Sequence, residues 1–245
     1  MKKQPKYPNS AGRLLAILES LQQNQQYGNQ LIPLLLGEAA PKDGKDLSLA
    51  GVKAITELHK LYADFLQDLA NADMSDEEKA VLENGLSSLG NLMYPQAINQ
   101  NIRQVSEAEK ALLEVCATRL PKEAVIDNGD MELIQESIKK LKESVKELST
   151  TSILRTILLE LIRLSEDSIN RYNIYGSKGL KAAFKSMLSE VAEVYLQNEE
   201  NESDIKNSSG WKRAVEHIRL FDSVASKTMK YKPLLEKAGQ FLIGP

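Results

Sequence analysis

The chain has 245 residues, 42% hydrophobic, 27% charged and 5% aromatic, with 13 Gly, 8 Pro and a formal net charge of −3. That length can bury a sizeable core in one domain or two, and so few aromatics leave Leu, Ile, Val and Ala to fill it, a palette for helix packing rather than for a β-sandwich. The near-neutral charge excludes a strong global field toward nucleic acid, and the single cysteine, Cys116, excludes an intramolecular disulfide, which suits a reducing, cytoplasmic compartment.

Residues 1–8 read as a flexible basic arm with Pro5 and Pro8, unlike a targeting segment. Asn9 or Ser10 can cap a first helix carrying Leu14, Leu15, Ile17, Leu18 and Leu21; it runs into Gln22-Gln23-Asn24-Gln25-Gln26 and is expected to end at Gly28. A short helix over 30–36 stops at Gly37, and 38–47 form a loop. Leu31-Ile32-Pro33-Leu34-Leu35-Leu36 is the longest apolar run and is far too short to span a bilayer.

Ser48 can cap the next helix, where Ile55, Leu58, Tyr62, Phe65 and Leu69 step by three and four to make one packing seam. Ser75-Asp76-Glu77-Glu78 and Ser106-Glu107-Ala108-Glu109 are capping boxes, each a serine that bonds the amide three residues on and a glutamate that reaches back. The stretch through Tyr94-Pro95 is a connector or short helix, and Pro121 ends the helix at 106–119.

A central helical run begins at Asp130, with Ile134, Ile138, Leu141, Val145 and Leu148 on one stripe. Unbroken to 174 it would measure about 68 Å, against a diameter of about 45 Å for a compact domain of this size. Ser149, Thr150, Thr151 and Ser152 are better caps than helix formers, so a break is placed there, with a protruding coiled-coil arm as the alternative. The helix over 152–174 carries Ile153, Ile157, Leu158, Leu161, Leu164 and Ile169. Gly176 and Gly179 bracket a turn, and the helix over 178–197 carries Leu180, Phe184, Met187, Val191 and Tyr195. The expected organisation is an all-α antiparallel bundle of about eight helices: a bundle domain over 9–197, a polar acidic linker over 198–209, and a basic C-terminal helix and tail over 210–245 that ends in Phe241-Leu242-Ile243.

No catalytic motif is assigned. His59 and His217 are the two histidines and share no metal-ligand spacing with each other or with Cys116, so neither a zinc site nor a di-iron site can be assembled, and no cofactor is expected. His59 reads as a boundary residue and Cys116 as a small buried hydrophobe rather than a nucleophile. Gly176-Ser177-Lys178-Gly179 shares only composition with a phosphate loop. A helix–turn–helix corner is the simpler reading, yet Lys178, Lys181 and Lys185, with Arg171, could hold an anion there. Glu160, Arg163, Asp167 and Arg171 form a ladder of alternating charge, either a solvated self-paired face or an interface ridge that sets a partner's register.

The C-terminal charges are segregated: 186–204 hold six acids and no base, and 206–237 hold eight bases and three acids. Trp211, Lys212, Arg213, Arg219, Lys230 and Lys232, interleaved with Phe221 and Tyr231, could contact phosphates; the simpler reading is mutual neutralisation with the acidic stretch.

The segment Leu154–Glu160, followed by Tyr172-Asn173-Ile174-Tyr175-Gly176-Ser177-Lys178-Gly179-Leu180, resembles a pattern found in a family of uncharacterised bacterial all-helical proteins: a leucine-rich helix, then Tyr-x-Ile-x-Gly-x-x-Gly-Leu, then a second helix. The likeness covers about 30 of the 245 residues. It implies a bacterial, cytoplasmic origin and transfers no activity. The expected function is that of a non-enzymatic interaction protein (scaffold, adaptor or regulatory subunit) acting through charged helix faces on a protein partner or a second copy. A nucleic-acid accessory role for 206–237, and a ligand-binding or enzymatic role at the 171–185 corner, stand as alternatives.

Overall fold

The computed structural model describes residues 6–21, 27–36, 40, 47–93, 105–149, 152–196 and 208–227. Among these the chain is all-α: α1 (Ser10–Glu19), α2 (Tyr27–Leu36), α3 (Leu47–Ala70), α4 (Asp76–Leu86), a 3₁₀ segment (Ser87–Met93), α5 (Glu107–Arg119), α6 (Asn128–Glu147), α7 (Ile153–Asn170), α8 (Tyr172–Leu196) and α9 (Ser209–Lys227). They gather into two compact units, Met1–Glu123 with Asn173–Gly176, and Ala124–Tyr172 with Ser177–Pro245. The stretch 9–197, read from sequence as one bundle domain, is shared between them.

In the first unit the α3 seam behaves as its spacing predicts: Ile55, Leu58, Phe65 and Leu69 are buried and Tyr62 is half-buried. Leu14, Leu31, Leu35, Leu86, Leu89, Leu113 and Ile174 complete that core. Asn9 is the α1 cap. Its Oδ1 accepts from Gly12 N at 3.0 Å, and its Nδ2 donates to the carbonyls of Ala117 (2.9 Å) and Leu120 (3.3 Å), so one side chain closes the start of α1 and the end of α5. Gly12 is required beside it, because a Cβ there would stand 2.1 Å from the carbonyl oxygen of Tyr7. The described end of the basic arm is tied down: Lys6 Nζ and Tyr7 Oη both donate to Glu114, and Pro8 O accepts from Glu123 N at 2.6 Å.

The second unit shows its register in its polar contacts. Arg155 on α7 donates to the carbonyls of Val145 (2.6 Å) and Leu148 (3.2 Å), capping the end of α6 and marking the chain reversal. On α9, Arg213 meets Ser144, His217 meets Ser137, and Lys227 meets Asp130, so rising numbers on one helix meet falling numbers on the other. α9 therefore runs antiparallel to α6 and, by the same reasoning, parallel to α7. Leu158, Leu180, Phe184, Met187, Ile218 and Phe221 fill the space between. Burying each such side chain contributes roughly 1.5–3 kcal/mol.

Several boundaries differ from expectation. α1 ends at Glu19, where Ser20 donates both its amide, to Ile17 O and Leu18 O, and its hydroxyl, to Ala16 O; Gly28 lies inside α2. α3 begins at Leu47, so Ser48 is within it rather than its cap. Asp127, not Asp130, starts α6, its carboxylate accepting from Asp130 N at 2.7 Å. α7 stops at Asn170, and the corner falls at Arg171 rather than at the glycines; Gly176 is a kink inside α8 (φ 56°, ψ −146°), and Gly179 is helical. At the kink helical bonding yields to a tertiary partner, since Ile174 O accepts from Arg13 Nε at 2.9 Å; the side-chain hydroxyl of Tyr172 separately accepts from Ile126 N at 3.0 Å. The Gln22–Gln26 run, Tyr94-Pro95, the linker apart from 208 and 209, and the tail from 228 onward lie outside the described residues; Tyr195 lies outside the described side chains.

Candidate functional site

The surface that stands out on α4 and α5 was assigned no role from sequence. Both helices begin at the predicted capping boxes. Ser75 Oγ accepts from Glu78 N at 3.2 Å while Glu78 accepts from Ser75 N at 3.0 Å; Ser106 and Glu109 repeat the exchange at 3.2 and 2.7 Å. Glu109, buried at 4% exposure, also accepts from the hydroxyl of Ser88, which ties the start of α5 to the 3₁₀ segment. Gly85 lets the two helices approach, because a Cβ there would come within 2.5 Å of Leu112 Cδ1.

The result is an open groove of about 320 Å³ with Met74, Val81, Leu82 and Val115 as its apolar wall and Glu77, Glu78 and Arg119 at its rim. Val81 is 65% exposed and Val115 46%. The face of α5 beside it continues with exposed Ala111 and Ala108, one and two turns before Val115. Arg119 Nη2 stands 3.9 Å from Glu78 Oε1, and both side chains are more than half exposed, so that pair holds the rim only weakly. The polar groups of its lining are the two carboxylates and one guanidinium of Glu77, Glu78 and Arg119. One signal was present in the sequence: α5 has apolar residues on two faces. The packing buries Leu113, Cys116 and Ala117 and leaves Ala108, Ala111 and Val115 outside.

The residues singled out from sequence are distributed as follows. On α7, Glu160 and Arg163 form a two-pronged ion pair and Asp167 pairs with Arg171 at 2.9 Å, so the ladder is paired along its own helix. Hydrogen bonding from Arg163 holds the Glu160 carboxyl below its usual range. Lys178 and Lys185 are exposed and Lys181 is half-buried on the α8 turns after the Gly176 kink, while Arg171 is engaged by Asp167. On α9, Trp211 is 4% exposed and Phe221 1%, so neither can stack on a base. They are core residues because they fall on the stripe of Ala214 and Ile218, facing α6 and α7. Arg213 Nη1 donates to Ser144 Oγ at 2.7 Å, which leaves Lys212 and Arg219 as the exposed members of the set; Lys230, Lys232 and Tyr231 lie outside the described residues. Among the described residues Lys227 of this helix pairs with Asp130 of α6 at 2.6 Å, while residues 197–207 of the neighbouring acidic stretch and linker lie outside the described residues.

Three titratable residues complete the inventory. His59 is exposed. Cys116 is fully buried, and burial pushes its thiol up to about 11, so no reactive thiolate forms at neutral pH. His217, passed over in the sequence, is fully buried, with Nε2 2.7 Å from Ser165 Oγ and Nδ1 2.8 Å from Ser137 Oγ. Ser165 gives its proton to Leu161 O at 2.6 Å, so its oxygen accepts from Nε2–H and Nδ1 accepts from Ser137. Burial lowers the imidazole to about 4, which keeps it neutral. No acid orients this Ser–His–Ser chain and Ser165 is enclosed, so it is a satisfied polar link in the core.

Among the described residues no group of His, Cys, Asp and Glu could hold a metal ion, and no helix is long and apolar enough to cross a membrane. Compared with known proteins, the chain matches no family model, no curated protein and no solved structure.

Proposed function

We propose that this chain is a non-enzymatic helical interaction protein, a scaffold, adaptor or regulatory subunit. The observation that carries the reading is the uncovered α4–α5 groove: two valines, 65% and 46% exposed, side by side on a face with charged residues at its rim. Single exposed apolar residues are ordinary, but an apolar groove with a polar rim is the form a recognition surface takes.

Size-exclusion chromatography with light scattering tests this, comparing the wild-type chain with Val81→Glu/Val115→Glu. The expected result is an assembled species, or a co-purifying protein, that the double variant loses. A monomer that binds nothing, and whose melting temperature rises with inorganic phosphate unless Lys178→Ala is introduced, overturns the reading in favour of an anion-binding protein.

Nucleic-acid contact through α9 is the second reading, favoured by exposed Lys212 and Arg219, seven residues apart on one helix face. It predicts binding that weakens steeply with salt and is lost in Lys212→Glu/Arg219→Glu. Binding indifferent to both changes removes it.

A further inference from the structure

We infer that the occupant of the α4–α5 groove is a basic amphipathic helix of a partner protein, seating a narrow aliphatic face over Val81 and Val115. This rests on the interaction reading above and adds the chemistry of the partner. Shape supplies the first argument. Ala108, Ala111 and Val115 lie at helical spacing and present small side chains, so a third helix can approach α5 within the 8–10 Å of ordinary helix packing. From Ala108 to Val115 the stripe is about 10 Å long. It therefore engages about two turns of the incoming helix, with anchors three and four residues apart.

Charge chooses the partner. α4 carries four acids against one base, and its first turn, Asp76, Glu77 and Glu78, is exposed throughout. The one base, Lys79, is turned away to Ala70 O at 2.9 Å. α5 adds no free acid to the rim, since Glu107 pairs with Lys110 at 2.6 Å, Glu114 with Lys6 at 2.8 Å, and Glu109 is buried; Arg119 is the cation there, against Glu77 and Glu78 of α4. The rim is thus acidic, and lysines or arginines flanking an aliphatic stripe complete it.

The same charges weigh against a second copy of the chain, which would bring two acidic first turns together. Area weighs against it as well. Contact over two turns falls well short of the roughly 1,200 Å² that a stable interface buries, so the complex is of the transient kind.

The test uses the full chain and two fluorescent 18-residue helical peptides, one with a Leu/Ala face and lysines elsewhere, the other with glutamates in place of the lysines. The lysine peptide is expected to bind at least tenfold tighter than the glutamate peptide. Val81→Asn and Glu77→Lys, both at exposed positions, are each expected to weaken it tenfold, with helicity by circular dichroism unchanged. Equal binding of both peptides, or affinity indifferent to both variants, overturns the assignment of the partner. A dimer in light scattering that Val81→Asn disperses overturns it in favour of a second copy and leaves the interaction reading standing. Failure of both peptides together with a clean monomer overturns both.

Discussion

Gly176 is the described residue whose backbone only glycine adopts readily, at φ 56° and ψ −146°. Its bare Cα also makes room for a buried ion pair, since a Cβ there would stand 2.4 Å from Glu123 Oε2 and 2.5 Å from Arg13 Nη1. Gly176→Ala is therefore expected to cost about 3 kcal/mol or more, from strain and displacement together; urea unfolding of the variant measures it, and a loss under about 1 kcal/mol contradicts the account. His217 makes a prediction with a sign. It is neutral in the fold, with its pKa lowered to about 4, and protonates near 6.5 once unfolded. Its contribution is complete above pH 6.5 and is lost as the pH falls toward 4, because the unfolded chain binds the extra proton. The loss is about 3 kcal/mol. Stability measured from pH 7 to pH 4 should fall with that profile, and His217→Gln should flatten it.

At the scale of elements, the ends of helices are held by side chains, often from another helix. Lys79 caps α3, Arg155 caps α6, and Asn9 serves both α1 and α5. The two capping boxes were legible because they are local: a serine and a glutamate three residues apart suffice. Ser75→Ala is expected to cost about 1 kcal/mol and Ser106→Ala more, toward 2, because Glu109 is buried and would lose both the amide register and the hydroxyl at 2.8 Å. Thermal unfolding of the two variants checks the order, and equal losses would contradict it. The end of α7 was not legible. Nor was the kink at Gly176 inside α8, where the Ile174 carbonyl is taken by Arg13, 161 residues away.

At the scale of the whole molecule, the chain passes from one compact unit to the other after Glu123, returns for Asn173–Gly176, and leaves again. Arg13 gathers these passages in the first unit: Nη1 and Nη2 donate to Glu123 at 2.8 and 2.9 Å, and Nε donates to Ile174 O. The guanidinium is 3% exposed. Removing one partner of such a pair leaves a buried charge and costs about 3–5 kcal/mol. Arg13→Met is expected to lower stability by that amount, with amide hydrogen exchange rising first in α1 and α5. Exchange that rises first in α6 and α9 would contradict it.

The sequence by itself determined the helical class, the seams of α3 and α6, the two capping boxes, the break between α6 and α7 and the inert character of Cys116. All of these depend on residue type and spacing within a few turns. Tertiary structure alone decided that Trp211 is core rather than a stacking platform, that His217 joins Ser165 to Ser137, that the ladder on α7 pairs with itself, and that one apolar face of α5 stays open beside α4. Spacing shows that a face is apolar, but only the packing of distant segments determines whether another helix covers it.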